Sequence, residues 1–234
     1  MKAILFFFFC FFAVNFVFSQ TTNPVPKQPL WMDGAYQAGR DFRYEGFKGS
    51  PLFINEWING QINLADGRAF DDVPLKYNAY TKGLFMKSPA GDSIAVFSNL
   101  VNSFIIKDPV SKSDFVFKRY PLAKTSKKQE SDLYFLVLYE GKTCLLKLIS
   151  KVIKKADYKD PYSNNIPYDT YEDAHEYYLL NADNSLIKIK KSKKAIMEAL
   201  ADKEAALTEF ITQQNLTIKT EVELVRVVAK YDSF

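Results

Sequence analysis

Residues 157–176 (DYKDPYSNNIPYDTYEDAHE) hold the densest set of side chains with chemistry to offer. Tyr158, Tyr162, Tyr168 and Tyr171 are interspersed with Asp157, Asp160, Asp169, Glu172, Asp173 and Glu176. Tyrosine rings are amphipathic and can stack on the apolar faces of sugars, while carboxylates accept hydrogen bonds from hydroxyls. Tyr158, Tyr162, Tyr168 and Tyr171, with Asp160 and Asp169, are therefore a candidate glycan-binding set. Clustered oxygen ligands also suit Ca²⁺, but the spacing does not match the D-x-[DN]-x-[DN]-G loop. No metal and no cofactor is expected. The plainer reading is a long surface loop whose tyrosines line a sheet edge. Long loops in compact domains are more often functional than short ones, so this is the first place to look.

His175 is the single histidine. Any triad or histidine-based metal site would have to use it, and its neighbours Ala174 and Glu176 complete no such motif. A structural role is expected. Lys188, Lys190, Lys191, Lys193 and Lys194 form the strongest charge cluster. It reads as a solvated edge that discourages strand-to-strand aggregation, or as a patch for an anionic partner such as lipopolysaccharide or a protein. The chain contains no G-x-S-x-G, H-E-x-x-H, G-x-G-x-x-G or C-x-x-C pattern, so the reactions those motifs carry have no support.

The elements that would position these residues begin with 60–86 (GQINLADGRAFDDVPLKYNAYTKGLFM). Ile62 and Leu64 share one side of a strand, and Gln61 and Asn63 the other. Asp66-Gly67 predicts a two-residue primed turn. Val73, Leu75, Tyr77 and Ala79 then share a face. After a turn at 81–83, Leu84 and Met86 do the same. Pro74 has no amide hydrogen, which predicts an edge position or a bulge near Asp71-Asp72. Short strands are predicted near 93–97, 104–106 and 114–119. Turn residues at roughly ten-residue spacing argue for an antiparallel sheet, sandwich or partly closed barrel.

The hairpin 133–139 and 143–153 carries apolar runs on both arms, which predicts central strands covered on both faces. Cys144 lies in this context and is expected to be a buried small hydrophobe. A last hairpin spans 176–190. The period then changes to helical. Ser192 can cap a helix burying Ile196 and Leu200, and Asp202 a second one with Leu207, Phe210 and Ile211 on one face. Thr220 and Glu223 spell a capping box for a third, with Val222, Val225 and Val228 or Ala229 facing inward. The fold class is α+β: a β-rich domain over 30–190, then a helical tail over 191–234 packed on the sheet. The chain ends on Phe234, as many outer-membrane barrels do. Asp232 and the helical period before it argue against a membrane barrel.

Lys2 followed by an apolar run to Phe18 and a small Ser19 describes a secretory signal peptide over 1–19. The run is short for a membrane anchor, so no transmembrane span is expected after cleavage. Residues 20–29, rich in proline, read as an extended lead-in. Removing the leader takes away Cys10 and leaves Cys144 without an intramolecular partner. Net charge over the full chain is only +4, and the leader carries one of the lysines. That mild excess suggests no nucleic-acid partner.

Gly60, Ile62, Asp66-Gly67, Val73-Pro74-Leu75 and Tyr77-Asn78, a later Tyr177–Leu180 hairpin arm and a lysine-rich strand before a helical tail resemble a group of exported Bacteroidota proteins without an assigned activity. The phenylalanine-rich leader ending in Ser-Gln is similar to theirs too. The resemblance implies compartment and fold, and brings no site with it. The expectation is a non-enzymatic exported accessory or scaffold protein in the periplasm or on the surface of a Gram-negative bacterium, associated with an outer-membrane protein complex. Its partner would be another envelope protein. The alternative is glycan or peptidoglycan binding through the loop 157–176.

Overall fold

The alternation that marks residues 58–87 becomes the middle of an eleven-stranded antiparallel sheet. A computed structural model describes residues 36–38, 47–107, 110, 113–156 and 168–234; the stretches read from the sequence as leader (1–19) and lead-in (20–29), and positions 157–167, lie outside them. In chain order the strands are β1 (Tyr36–Ala38), β2 (Phe47–Lys48), β3 (Ile58–Leu64), β4 (Ala69–Asn78), β5 (Gly83–Lys87), β6 (Ser93–Val96), β7 (Val101–Lys107) and β8 (Asp114–Lys118). They continue with β9 (Phe135–Tyr139), β10 (Cys144–Leu148), β11 (Lys151–Lys154), β12 (Asp169–Asp173), β13 (Glu176–Leu180) and β14 (Leu186–Ile189). Helices α1 (Lys193–Ala199), α2 (Glu204–Gln213) and α3 (Glu221–Asp232) follow. The main sheet runs β1-β6-β5-β4-β3-β7-β8-β9-β10-β13-β14, and a second sheet runs β11-β12-β2. The main sheet is open, with β1 and β14 at its edges, so the partly closed barrel gives way to an open sheet.

The first core lies on one face of β3–β9. Ile62, Leu75, Tyr77, Leu84, Met86, Phe104, Ile106 and Phe117 are buried there. Their spacing of two within each strand is what the sequence shows. Phe104 and Phe117 stack at 4.6 Å, and Tyr134 meets Phe104 edge-on at 5.0 Å. A Cβ on Gly60 would lie 2.0 Å from the Ile105 carbonyl oxygen. Only glycine lets β3 and β7 approach this closely.

The β3–β4 register slips between Gly60 and Ile62, so Asp71-Asp72 bulge opposite a single residue, and Asp72 takes a φ of 55°. Pro74 falls one residue outside the β4–β5 ladder, which begins at Leu75 opposite Met86. The missing amide therefore costs no bond of that ladder. The turn between β3 and β4 is not the primed two-residue type. Only Gly67 has a positive φ, of 90°, and the Gly67 amide donates to the Leu64 carbonyl while Leu64 N–H reaches Arg68 O. This is a three-residue hairpin closed by a left-handed glycine.

The arms of β9 and β10 are covered on both faces. Leu145 lies with Leu179 and Ile189 beneath the helices. Leu146 and Leu148 join Phe135, Tyr178 and Leu180 on the other side. The second arm, however, does not run on to Ile153. At Ile149-Ser150 the chain leaves the main sheet, and Lys151 opens β11 in the second sheet.

Ser192 Oγ accepts from the Ala195 amide and caps α1, and Thr220 with Glu223 forms the capping box of α3. Asp202 caps nothing: residues Ala201–Lys203 form a short 3-10 turn, and α2 starts without a side-chain cap. The Asp202 carboxylate instead accepts the Tyr231 hydroxyl at 3.0 Å. The inward face of α3 is also displaced from the predicted one. Leu224, Val227 and Val228 are buried, while Val222 is 69% exposed. Among the described residues, no helix is long and apolar enough to cross a membrane.

Candidate functional site

Tyr168, Asp169 and Tyr171 are the members of the glycan-binding set within the described residues; Tyr158, Asp160 and Tyr162 lie outside them. Residues Asp169–Asp173 are strand rather than loop, because Lys151–Lys154 pair along one side of them and Phe47–Lys48 along the other. Tyr171 is 6% exposed. Its ring centroid lies 5.5 Å from Phe47 and 5.5 Å from Tyr80, so it is a core ring of the second sheet and is withdrawn from the platform. Gly49, at a φ of 84°, lets the chain pass against the Tyr171 backbone.

The Asp169 carboxylate accepts from Lys155 Nζ at 2.6 Å and from the Ala156 amide at 2.9 Å. Those bonds, the Lys155 one first, hold its carboxyl below the usual range. Asp169 thus ties the two ends of the 157–167 segment together. Among the described residues of the set, Tyr168 alone keeps a platform's character. It is 43% exposed, with Lys48 Nζ 5.5 Å from its ring centre.

The lysine cluster is partly paired. Lys188 Nζ lies 2.5 Å from Glu176, Lys194 Nζ 3.8 Å from Glu198, and Lys191 Nζ sits 5.8 Å from the Tyr177 ring centre. Lys190 and Lys193 are exposed beside them. A shallow groove near this edge, lined by Lys193, Lys194, Met197, Glu198, Ala201, Glu204 and Thr208, mixes both charge signs. It offers no single-sign field to steer an anion.

A polar cluster outside the candidate set lies at the corner where the main sheet hands over to the second. Lys82, at a φ of 62° in the β4–β5 turn, aims its ammonium across the corner. It donates to the Ala79 carbonyl, to Ile149 O at 3.2 Å and to Ser150 Oγ at 2.7 Å. Burial pushes this ammonium down to about 8. The Ser150 amide donates to His175 Nδ1 at 3.2 Å, and His175 Nε2 lies 3.7 Å from Asp173. Burial, then the Lys147 charge, lowers His175 below its ordinary value, keeping it a neutral acceptor.

The Lys82–Ser150 separation is that of a lysine-activated serine, but two features argue for architecture. All three ammonium protons have an acceptor, and the Ser150 amide, the natural oxyanion donor, is already engaged by His175. In the sequence this cluster is marked only by Lys82 in a turn and by the single histidine, His175, and neither says anything about a partner in a distant element.

A second network secures the helices. Glu221 accepts from Lys147 Nζ at 2.6 Å and from the Tyr177 hydroxyl at 2.7 Å. Burial raises the Glu221 carboxyl, yet these two bonds outweigh it and leave the group below its ordinary value. Among the described residues, no group of three or more acids, histidines or cysteines could hold a metal ion. Cys144 is half-buried, its sulfur 3.6 Å from the Gly141 carbonyl. Comparison with protein-family models, curated proteins and solved structures finds no match.

Proposed function

We propose that this chain is a non-enzymatic exported accessory protein that docks onto a protein complex of the cell envelope. The leader pattern supports the compartment. The observation that carries the rest is how the described reactive groups are used. His175 holds an amide, Lys82 binds two carbonyls, Asp169 ties a loop base, and Glu221 anchors a helix. Each joins one element to another, which suits a scaffold. In-cell cross-linking of the full chain, followed by mild detergent extraction, tests the reading. The expected result is an envelope protein recovered covalently with it. A monomer that cross-links to nothing overturns it.

A second reading, glycan or peptidoglycan binding, rests on Tyr168, whose ring remains exposed at the base of the 157–167 segment. Retention on purified sacculi that is lost in Tyr168→Ala would favour it, and absence of retention by the wild type would sink it.

A further inference from the structure

Three connections converge on the corner between the sheets. The Lys151 amide donates to Ala79 O at 3.1 Å, the Ala174 amide donates to Ser150 O at 3.0 Å, and the Lys82 ammonium spans Ala79 O, Ile149 O and Ser150 Oγ. Beyond the corner lie β11 and β12, and with them both ends of the 157–167 segment. Parting these connections would therefore expose Lys82, half-buried among them, to water.

We propose that this corner is a proton-linked hinge in alkaline solution: there, opening it hydrates Lys82 and takes up a proton, and closing it returns the proton to solvent. The geometry supplies the hinge, because one side chain from the β4–β5 turn holds the point at which the chain changes sheets. Chemistry supplies the linkage. A closed corner withdraws part of the Lys82 side chain from water, which disfavours the charged form, and an open one gives it back to water. The closed corner binds its proton with a value of about 8, against 10.5 for a free lysine. Between these values the open state holds more protons, so raising the pH favours closure, by about tenfold in the open–closed ratio per pH unit. Below about 8 both states carry the proton and the ratio is flat.

The charged and titratable groups at the corner are Glu176 of β13, whose carboxylate favours the ammonium, and His175, Asp173, Lys147 and Lys151. Above pH 8 His175 is neutral, while Asp173 and Glu176, both held below their ordinary values, stay ionised. These three do not titrate in the window.

Pulse-labelled hydrogen exchange on the full chain tests the hinge. It would follow the amides of β11 and β12 that exchange ahead of global unfolding, corrected for intrinsic rate. In the wild type, their protection should be flat to about pH 8 and then rise about tenfold per unit. In Lys82→Met the rise should vanish, whatever the absolute protection. In Glu176→Gln it should begin at lower pH, because a charge favouring the ammonium is gone. A wild type without the rise, a Lys82→Met variant that keeps it, or a Glu176→Gln onset that does not move overturns the proposal.

Discussion

Strands β3–β8 bury one face fully, whereas β9, β10 and β13 bury two, and each arrangement follows from a different sequence pattern. In the first region, Ile62, Leu64, Leu75, Tyr77, Leu84 and Met86 alternate with polar or half-exposed neighbours, the buried Phe85 excepted, and the core is one aromatic-rich layer. In the second, Leu145 and Leu146 are adjacent in sequence and both are buried, one beneath the helices and one against Tyr178 and Phe135. A one-faced sheet needs only its own strands to place its side chains. A two-faced one needs a further layer, and the capped helices α1 and α3 supply it.

Truncating the centre of each layer gives the largest expected effects. Phe104→Ala removes a ring packed against Phe117, Tyr77 and Tyr134, at a cost of ~3–5 kcal/mol. Leu224→Ala opens the helix layer at a fully buried position, for ~2–5 kcal/mol. Because Leu145 and Leu179 pack directly under the helices, both variants should melt in one cooperative transition at lower temperature. A helical circular-dichroism signal lost ahead of the sheet in Leu224→Ala would break the comparison, showing the helices to be an attachment rather than a face of the core.

A smaller effect is expected at the entrance to α3. Thr220 Oγ accepts the Glu223 amide, and the Glu223 carboxylate accepts from the amides of Thr217, Thr220 and Lys219. Thr220→Ala should cost ~1 kcal/mol. The amides, that of Thr217 first, hold the Glu223 carboxyl down to about 2, from 4.5 in the unfolded chain. Its contribution is therefore complete above about pH 4.5 and disappears as pH falls toward 2. An acid titration of Glu223→Gln should lack this step. If the variant and the wild type lose stability in parallel across that window, the capping carboxylate is not what holds the entrance.

The residues that form strands and caps by local rules were readable in advance. The alternation of 58–87, the Asp71-Asp72 bulge beside Pro74, the Ser192 cap and the Thr220–Glu223 box all depend on neighbours within a few positions. What escaped depends on distant partners. Tyr171 reads as a candidate stacking ring because nothing nearby in sequence announces Phe47 and Tyr80. Asp202 looked like a cap, yet its hydrogen-bond partner is Tyr231, at the far end of the last helix. Lys82 in its turn announces no partner, since its acceptors Ile149 and Ser150 lie in the link between β10 and β11, which meets it only after the sheet has formed. At the first turn the difference is narrower: Asp66-Gly67 favours a tight hairpin, but Ala65 joins the loop and leaves the positive φ to Gly67 alone.

The inward face of α3 gives the smallest and most discriminating test. Val222, Val225 and Val228 recur every third residue and suggest one apolar stripe. A helix advances 3.6 residues per turn, so a true buried stripe alternates steps of three and four. Leu224, Val227 and Val228 satisfy that rule and are fully buried, while Val222 lies on the solvent side at the first turn. Val222→Ser should change stability by less than about 0.5 kcal/mol, as surface substitutions do. Val227→Ser places an unpaired hydroxyl in an apolar layer and removes buried methyl groups, for a loss of ~2 kcal/mol or more. Thermal melts of the two variants side by side decide the orientation of the helix. Equal losses at both positions would mean that α3 is rotated, with the predicted stripe inward after all.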